Sequence, residues 1–312
     1  MTNLAIAANG LRKSYGDKVV LDGVDLAVPE GTIFSLLGPN GAGKTTTVQI
    51  LSTLIRADGG TVQVAGHDLA RSPDDVRGAI GVTGQYSAVD KLLTGEENLL
   101  LMADLKHLSR RDGKRKAAEL LDRFDLVDAA RKPASTYSGG MQRRLDLAMT
   151  LVGDPRLIFL DEPTTGLDPR SRRSMWQIVR ELVAAGVTIF LTTQYLEEAD
   201  ELADRIALLD HGRLIAEGTA EELKRLIPGG HIELTFAGTH LLEAARHLVE
   251  AGVPDPEALT LQVPSDGSVR SIRELLALLD DHSIDVAEMS VHTPDLDDVF
   301  LTLTGQQKET VR

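Results

Sequence analysis

Between residues 38 and 45 the chain reads Gly38-Pro39-Asn40-Gly41-Ala42-Gly43-Lys44-Thr45, and this octapeptide limits the possible folds more than any other feature. It matches G-x-x-x-x-G-K-[ST] and lies after the apolar run IFSLL and before the helical pattern TTTVQILSTLI. Glycine tolerates backbone angles closed to other residues, so successive N–H groups can converge on the β- and γ-phosphates of a nucleotide. The N-terminus of the following helix adds partial positive charge, and Thr46 sits in its first turn. Lys44 supplies a full charge, and the Thr45 hydroxyl can ligate Mg²⁺.

The surrounding pattern is that of an α/β sheet. Short β-branched or apolar runs alternate with helical segments through most of the first 225 residues. Ile33 to Leu37, Leu157 to Leu160 and Val187 to Leu191 read as buried strands. Residues 92 to 150 break the alternation, because ENLLLMADLKHL, RKAAELLDRFDL and MQRRLDLAMTLV carry apolar residues at three- and four-residue spacing; an inserted helical subdomain is expected. Asp210-His211-Gly212-Arg213 reads as a hairpin turn. At roughly 150 residues per domain, 312 residues suggest two domains, and the composition shifts at Pro228-Gly229-Gly230. The expected division is 1–228 for a nucleotide-binding core and 229–312 for a small α+β appendix with two helices among short strands.

Two further motifs define the chemistry. Leu157-Ile158-Phe159-Leu160-Asp161-Glu162 sets two carboxylates at the end of a buried strand, the Walker-B arrangement. Asp161 is expected to hold the hydration shell of Mg²⁺, and Glu162 to polarise the attacking water. Tyr137-Ser138-Gly139-Gly140-Met141-Gln142 opens a helix with a Ser-Gly-Gly turn, a second anion-binding N-terminus. One phosphate chain does not need two such sites in one subunit.

At these residues the chain resembles the ATP-binding subunits of ABC transporters. The phosphate loop, YSGGMQ, IFLDEP and the Gly166-Leu167-Asp168 loop follow the family's order across residues 4 to 225. The resemblance implies a P-loop NTPase core with an inserted helical subdomain. It also implies ATP with Mg²⁺ as ligands, and a dimer that sandwiches two ATP molecules, each between Gly38–Thr46 of one subunit and Ser138, Gly139, Gly140 and Gln142 of the other. Asp168 and Tyr15 are implied in ATP binding, Tyr15 by stacking on adenine. Gln85 is implied as a group that contacts Mg²⁺ and water and couples to the permease. Where most members carry a switch histidine, this chain has Gln194 in LTTQYLEEAD, which can donate a hydrogen bond but carries neither proton nor charge. Slow but competent hydrolysis is expected, dominated by Glu162.

Narrower features, GVTGQYSAVDKLLTGEENL, YSGGMQRRLDLA, LTTQYLEEAD and PDLDDVFLTLTG, resemble the daunorubicin/doxorubicin resistance ATP-binding proteins, drug-export ATPases of the ABC-2 type. The resemblance implies efflux of a drug or other hydrophobic compound through a separate permease. ATPases of polysaccharide or lipid exporters share most of these motifs. A soluble ABC ATPase acting on ribosomes or DNA usually carries two cassettes or a coiled-coil insertion, neither of which is seen. A regulator that binds without hydrolysing fits poorly with Asp161 and Glu162.

Composition bounds the partners. With 33 Lys+Arg against 47 Asp+Glu, a formal charge of −14 disfavours nucleic acid or anionic lipid as a general partner. Residues 231 to 312 hold 15 acidic and 5 basic residues, leaving 32 and 28 in the preceding core, so the acidity belongs mainly to the appendix. Zero Cys excludes disulfides, thiolate zinc sites and a cysteine nucleophile. No apolar run approaches the length of a membrane span and the start lacks a signal-peptide pattern. The expectation is therefore a protein at the cytoplasmic face of the membrane, held there by its permease. The basic cluster Lys106, Arg110, Arg111, Lys114, Arg115 and Lys116 reads as a solvated helix face, and the eight histidines form no metal-ligand spacing.

In the appendix, Thr293-Pro294-Asp295 resembles a helix start, and Leu296, Val299, Phe300 and Leu303 share one face of the segment after it. That stripe is expected to pack on the appendix's own sheet; docking on a partner subunit is the competing reading. The C-terminal residues QQKETVR are expected to fray.

Overall fold

A computed structural model describes residues 3–84, 87–227, 230–249, 251–266, 268–292 and 294–304. Gln85, Pro228, Gly229, Thr293 and the final QQKETVR therefore lie outside the described residues. The chain forms two compact units, Met1–Ala220 and Glu221–Arg312. The division falls ahead of Pro228, where the composition shifts.

In the first unit, β1 (Leu4–Tyr15), β2 (Lys18–Pro29), β4 (Gly59–Val64) and β5 (His67–Asp68) form an antiparallel sheet in the order β2-β1-β4-β5. The second sheet contains β3 (Ile33–Leu37), β6 (Ile80–Thr83), β7 (Leu157–Asp161), β8 (Thr188–Thr193), β9 (Arg205–Asp210) and β10 (Arg213–Gly218). Its order is β10-β9-β3-β8-β7-β6, parallel throughout except for β10. The helices are α1 (Lys44–Leu51), α2 (Pro73–Ala79), α3 (Gly95–Leu105), α4 (Arg110–Arg123), α5 (Gly139–Thr150), α6 (Pro169–Ala184) and α7 (Leu196–Leu202).

The three central strands are buried along their whole length because both faces of the sheet are covered. Alternate residues divide between two cores. Phe34, Phe159 and Phe190 face the antiparallel sheet, with the Phe34 and Phe190 rings stacked 5.7 Å apart. Ile33, Ile158, Leu160, Ile189 and Leu191 face the opposite side, packing with Leu99, Leu120, Phe124, Leu145 and Trp176. The segment between β6 and β7 thus contributes α3, α4 and α5 to the second core. Thr94 and Glu97 form a capping box at α3, and Ser109 caps α4. β9 and β10 form the expected hairpin, with His211 at φ 44° and Gly212 at φ 76° in its two-residue turn.

The second unit contains α8 (Ala220–Lys224, its first residue falling in the first unit), β11 (His231–Thr235), α9 (Thr239–Leu248), β12 (Val253–Asp255), β13 (Thr260–Pro264), α10 (Val269–Asp281), β14 (Glu288–His292) and α11 (Leu296–Thr304). From β11 to β14 the pattern is βαββαβ, with antiparallel sheet order β12-β13-β11-β14. Ile232, Leu234, Leu261 and Val263 pack against Leu242 and Ala245 of α9 and Leu275 and Leu279 of α10. In α11, Leu296 and Val299 are buried, whereas Leu303 is 37% exposed.

Candidate nucleotide site

The phosphate loop leaves the buried end of β3 and turns directly into α1. Gly41 and Gly43 adopt φ of 84° and 114°, and Gly43 takes the N-cap position. Two glycines are also required by space. A Cβ on Gly38 would lie 2.2 Å from the Leu209 carbonyl oxygen, and one on Gly43 2.7 Å from Leu21 Cδ2. Asn40 and Gly41 are exposed, Pro39 and Thr46 are half-buried, and Ala42 is buried.

Lys44 is only 5% exposed. Its Nζ donates to the carbonyl oxygens of Gly38 at 2.8 Å and Pro39 at 3.1 Å, and lies 3.7 Å from Glu162 Oε1. Burial pulls its ammonium below the ordinary lysine range, and the charges of Glu162 and Asp161 oppose that shift. Asp161 ends β7 with its Oδ1 accepting from the Thr192 hydroxyl at 2.5 Å and lying 3.4 Å from Thr45 Oγ1. The next residue, Glu162, leaves the strand in the left-handed region at φ 49°. Its backbone N–H donates to the Thr192 carbonyl at 3.1 Å, and Thr165 Oγ1 donates to its Oε2 at 3.3 Å. β3, β7 and β8 are neighbours in the sheet, so three distant segments deliver Lys44, Asp161, Glu162 and Thr192 to one sheet end.

Thr45 and Asp161 offer two hard oxygen donors side by side, the donor type that Mg²⁺ prefers. The third group expected at the metal, Gln85, lies outside the described residues. Gln194 is half-buried just beyond β8, and Tyr15 is 50% exposed with Lys13 Nζ 5.4 Å from its ring centre.

The Ser-Gly-Gly turn forms the N-terminus of the twelve-residue α5. Ser138 is its N-cap, accepting from the Met141 N–H, and Ser138 and Gly139 are exposed. A Cβ on Gly140 would lie 2.7 Å from Ser171 Oγ, so this glycine lets α5 approach the start of α6. Asp168 caps α6, accepting from the N–H groups of Arg170 and Ser171 and from the Ser171 hydroxyl, whose hydrogen bond holds the carboxyl below its usual range. The Gln142 amide donates to the carbonyl oxygens of Ala134 and Tyr137, so within this chain it braces the loop before α5.

Arg143 is the residue that sequence reasoning passed over. Its guanidinium donates to the carbonyl oxygens of Pro163 at 2.9 Å, Gly84 at 3.0 Å and Asp161 at 3.2 Å, and pairs with Asp146 at 3.2 Å. Asp146 in turn accepts from the Ala88 N–H at 3.0 Å. The pair therefore grips both flanks of the segment carrying Gln85 and both sides of Glu162. Burial raises the Asp146 carboxyl and lowers the Arg143 guanidinium, and each partner's charge counters the shift of the other. In the sequence Arg143 stands beside Arg144, which bonds the Phe124 carbonyl instead. Only the phase of α5 against β7 distinguishes them.

Comparison with known proteins gives a consistent answer. Residues 21–165 match the family profile described as ABC transporter. The chain is 49% identical over 314 residues to a daunorubicin resistance ATP-binding protein of Streptomyces coeruleorubidus, covering 99% of this chain and 98% of that one. It is 50% identical over 308 residues to a daunorubicin/doxorubicin resistance ATP-binding protein of Streptomyces peucetius, covering 96% of this chain and 92% of the relative. A solved structure of an ATP binding subunit of an ABC transporter superposes with a TM-score of 0.64 at 29% identity, covering 72% of this chain and 93% of that one.

Proposed function

The chain belongs to the ATP-binding subunits of ABC transporters and is an ATPase, and from that premise we propose that it powers export of a drug or other hydrophobic compound through a separate ABC-2 type membrane permease. The relatives that match nearly its whole length are drug-resistance ATP-binding proteins. Among the described residues no helix is long and apolar enough to cross a membrane, and this reading assigns the span to the permease. The subunit then works at the cytoplasmic face, held there by that partner.

The observation that carries the mechanism is the exposure of Ser138 and Gly139 at the head of α5, in a chain whose Lys44, Asp161 and Glu162 cluster at one sheet end. Two copies of the chain complete each other: Ser138-Gly139-Gly140 of one caps the ATP held by Gly38–Thr46 of the other. Lys44 and the loop N–H groups hold the β- and γ-phosphates, and Tyr15 offers an exposed ring to the adenine. Thr45 and Asp161 would hold Mg²⁺, which when bound neutralises charge on the β- and γ-phosphates. Glu162 orients and polarises the water that attacks the γ-phosphorus in line, and Gln194 and Gln85 assist. Such phosphoryl transfer rests mainly on positioning and charge stabilisation. Hydrolysis reopens the dimer, and the change passes to the permease through the helical segment and the loop around Gln85.

The test is ATPase activity of the chain reconstituted with its permease in lipid vesicles. Daunorubicin should stimulate turnover in the intact pair, and Glu162→Gln should abolish hydrolysis while ATP binding persists. Stimulation by a polysaccharide or lipid substrate and not by drug would transfer the assignment to that class of exporter. Full activity in Glu162→Gln would remove the proposed mechanism.

A further inference from the structure

Strand β14 forms one side of the C-terminal sheet, and its outer edge pairs with no strand among the described residues. Its register on β11 fixes which face each residue takes. Met289 lies opposite Leu234 and Val291 opposite Ile232, so both belong to the apolar layer beneath α9 and α10. Yet Leu234 and Ile232 are buried, whereas Met289 and Val291 remain 40% and 38% exposed. The apolar layer extends one strand beyond its helical cover. Natural edge strands are usually protected by lysine, proline or a bulge. β14 contains no lysine or proline, and its pairing with β11 shows no register shift.

The order Glu288-Met289-Ser290-Val291-His292 is also self-complementary. Paired antiparallel about Ser290, two copies bring Glu288 of each opposite His292 of the other, and Met289 opposite Val291. The Glu288–His292 pair would lie on the outer face, where the His292 ring sits 4.9 Å from that of His231 and its Nε2 lies 3.0 Å from Asp298 Oδ2. The apolar pair would lie on the inner face. We propose that β14 is a docking edge for β14 of a second copy of this chain, joining two four-stranded sheets into one of eight.

This contact rests on the dimer proposed above, because two five-residue strands bury far less than the ~1,200 Å² of a self-sufficient interface. It forms once the nucleotide-binding halves hold the two chains together at an effective concentration on the order of millimolar. The 15 acidic against 5 basic residues of 231–312 repel across such a pairing. Salt shortens the range of that repulsion to about 8 Å at physiological ionic strength, so added salt should strengthen the contact.

The chain has no cysteine, so Ser290→Cys installs a single thiol at the two-fold axis. Facing Cα atoms in an antiparallel pair lie about 4.5–5.5 Å apart, within the range a disulfide spans. Full-length Ser290→Cys, in a Glu162→Gln background with ATP, should oxidise to a covalent dimer, and more completely at higher salt. Asp255→Cys on the opposite edge, β12, should link at least about tenfold less. Adding Met289→Lys and Val291→Lys to the Ser290→Cys chain should suppress linking by a similar factor. Equal linking at 255 and 290, linking that survives the lysines, or linking to the permease instead overturns the proposal. Size-exclusion chromatography of Glu162→Gln with ATP reads the nucleotide-driven dimer separately. If that dimer forms without a link at 290, only the β14 contact fails; if 290 links without it, the sandwich mechanism and the dependence of the contact on it both fail.

Discussion

Arg143 donates a hydrogen bond to the main-chain carbonyl of Asp161 at 3.2 Å, joining the helix behind the Ser-Gly-Gly turn to the strand end that carries Asp161 and Glu162. The same guanidinium holds Gly84 and Pro163, so the segments proposed to act together on ATP share one side chain. Arg143→Met leaves Asp146 buried without its partner and should cost about 3 kcal/mol in urea unfolding. Adding Asp146→Leu should restore most of that stability, since an apolar pair can replace a buried ion pair. The turnover number should stay at least about tenfold down in both variants with KM for ATP little changed. Recovery of turnover along with stability would reduce the pair to a packing role.

In the proposed mechanism Gln194 takes the place where a histidine would offer a proton and a charge to the γ-phosphate. Gln194→His should raise steady-state ATPase several-fold and give it a pH dependence centred near the histidine range of about 6.5. No gain in rate at any pH between 6 and 8 would contradict a role for Gln194 at the γ-phosphate.

Glu198 is completely buried on α7, accepting from the Trp176 indole N–H at 3.1 Å. Burial raises its carboxyl above the ordinary 4.5, while the neighbouring Thr193 and Thr164 hydroxyls, the Trp176 N–H and the charge of Arg172 pull it back. A raised folded-state value means the folded chain keeps a proton that the unfolded chain releases. The stabilising contribution is therefore complete below pH 4.5 and is lost as pH rises through the raised value. Glu198→Gln keeps an acceptor for Trp176 without the ionisation. It should flatten the fall in stability over that window, and denaturant midpoints measured from pH 4 to 8 would reveal an unchanged slope if the assignment is wrong.

Gly43 combines a φ of 114° with a neighbouring side chain 2.7 Å from where a Cβ would stand. Gly43→Ala should lower stability by at least about 1 kcal/mol, from backbone strain alone, and weaken ATP binding by more than tenfold because the loop N–H groups no longer converge. Calorimetric titration with ATP and a thermal melt read the two effects. Gly41 has a φ of 84° with nothing near its Cβ position, so Gly41→Ala should affect stability less.

The phosphate loop and the Asp161-Glu162 strand end were legible in the sequence because each is local: a few adjacent residues contain the donors, the charge and the backbone freedom that the chemistry needs. The buried strands were legible for a related reason, since a sheet covered on both faces requires runs such as IFSLL and LIFLD with no polar alternation. In the C-terminal unit the periodicity of THLLEAARHL and SIRELLALLDD marked α9 and α10, whereas the three-residue β12 was too short to leave a pattern. The role of Arg143 was not legible. Two adjacent arginines on one helix look alike until the rotation of α5 against β7 turns one toward Asp161 and the other toward Phe124.

What the sequence determined by itself was the class of fold and the groups proposed to meet ATP, because those depend on which residue types stand next to one another. Tertiary structure decided which of them meet. The parallel order β3-β8-β7 brings Lys44 within 3.7 Å of Glu162 and Asp161 within hydrogen-bonding reach of Thr192, although these residues belong to three segments far apart in the chain. It also decided that Met289 and Val291, ordinary strand residues in the sequence, stand at an edge that no strand among the described residues covers. Strand order and helix rotation are set by burial of side chains far apart along the chain, and no local pattern encodes them.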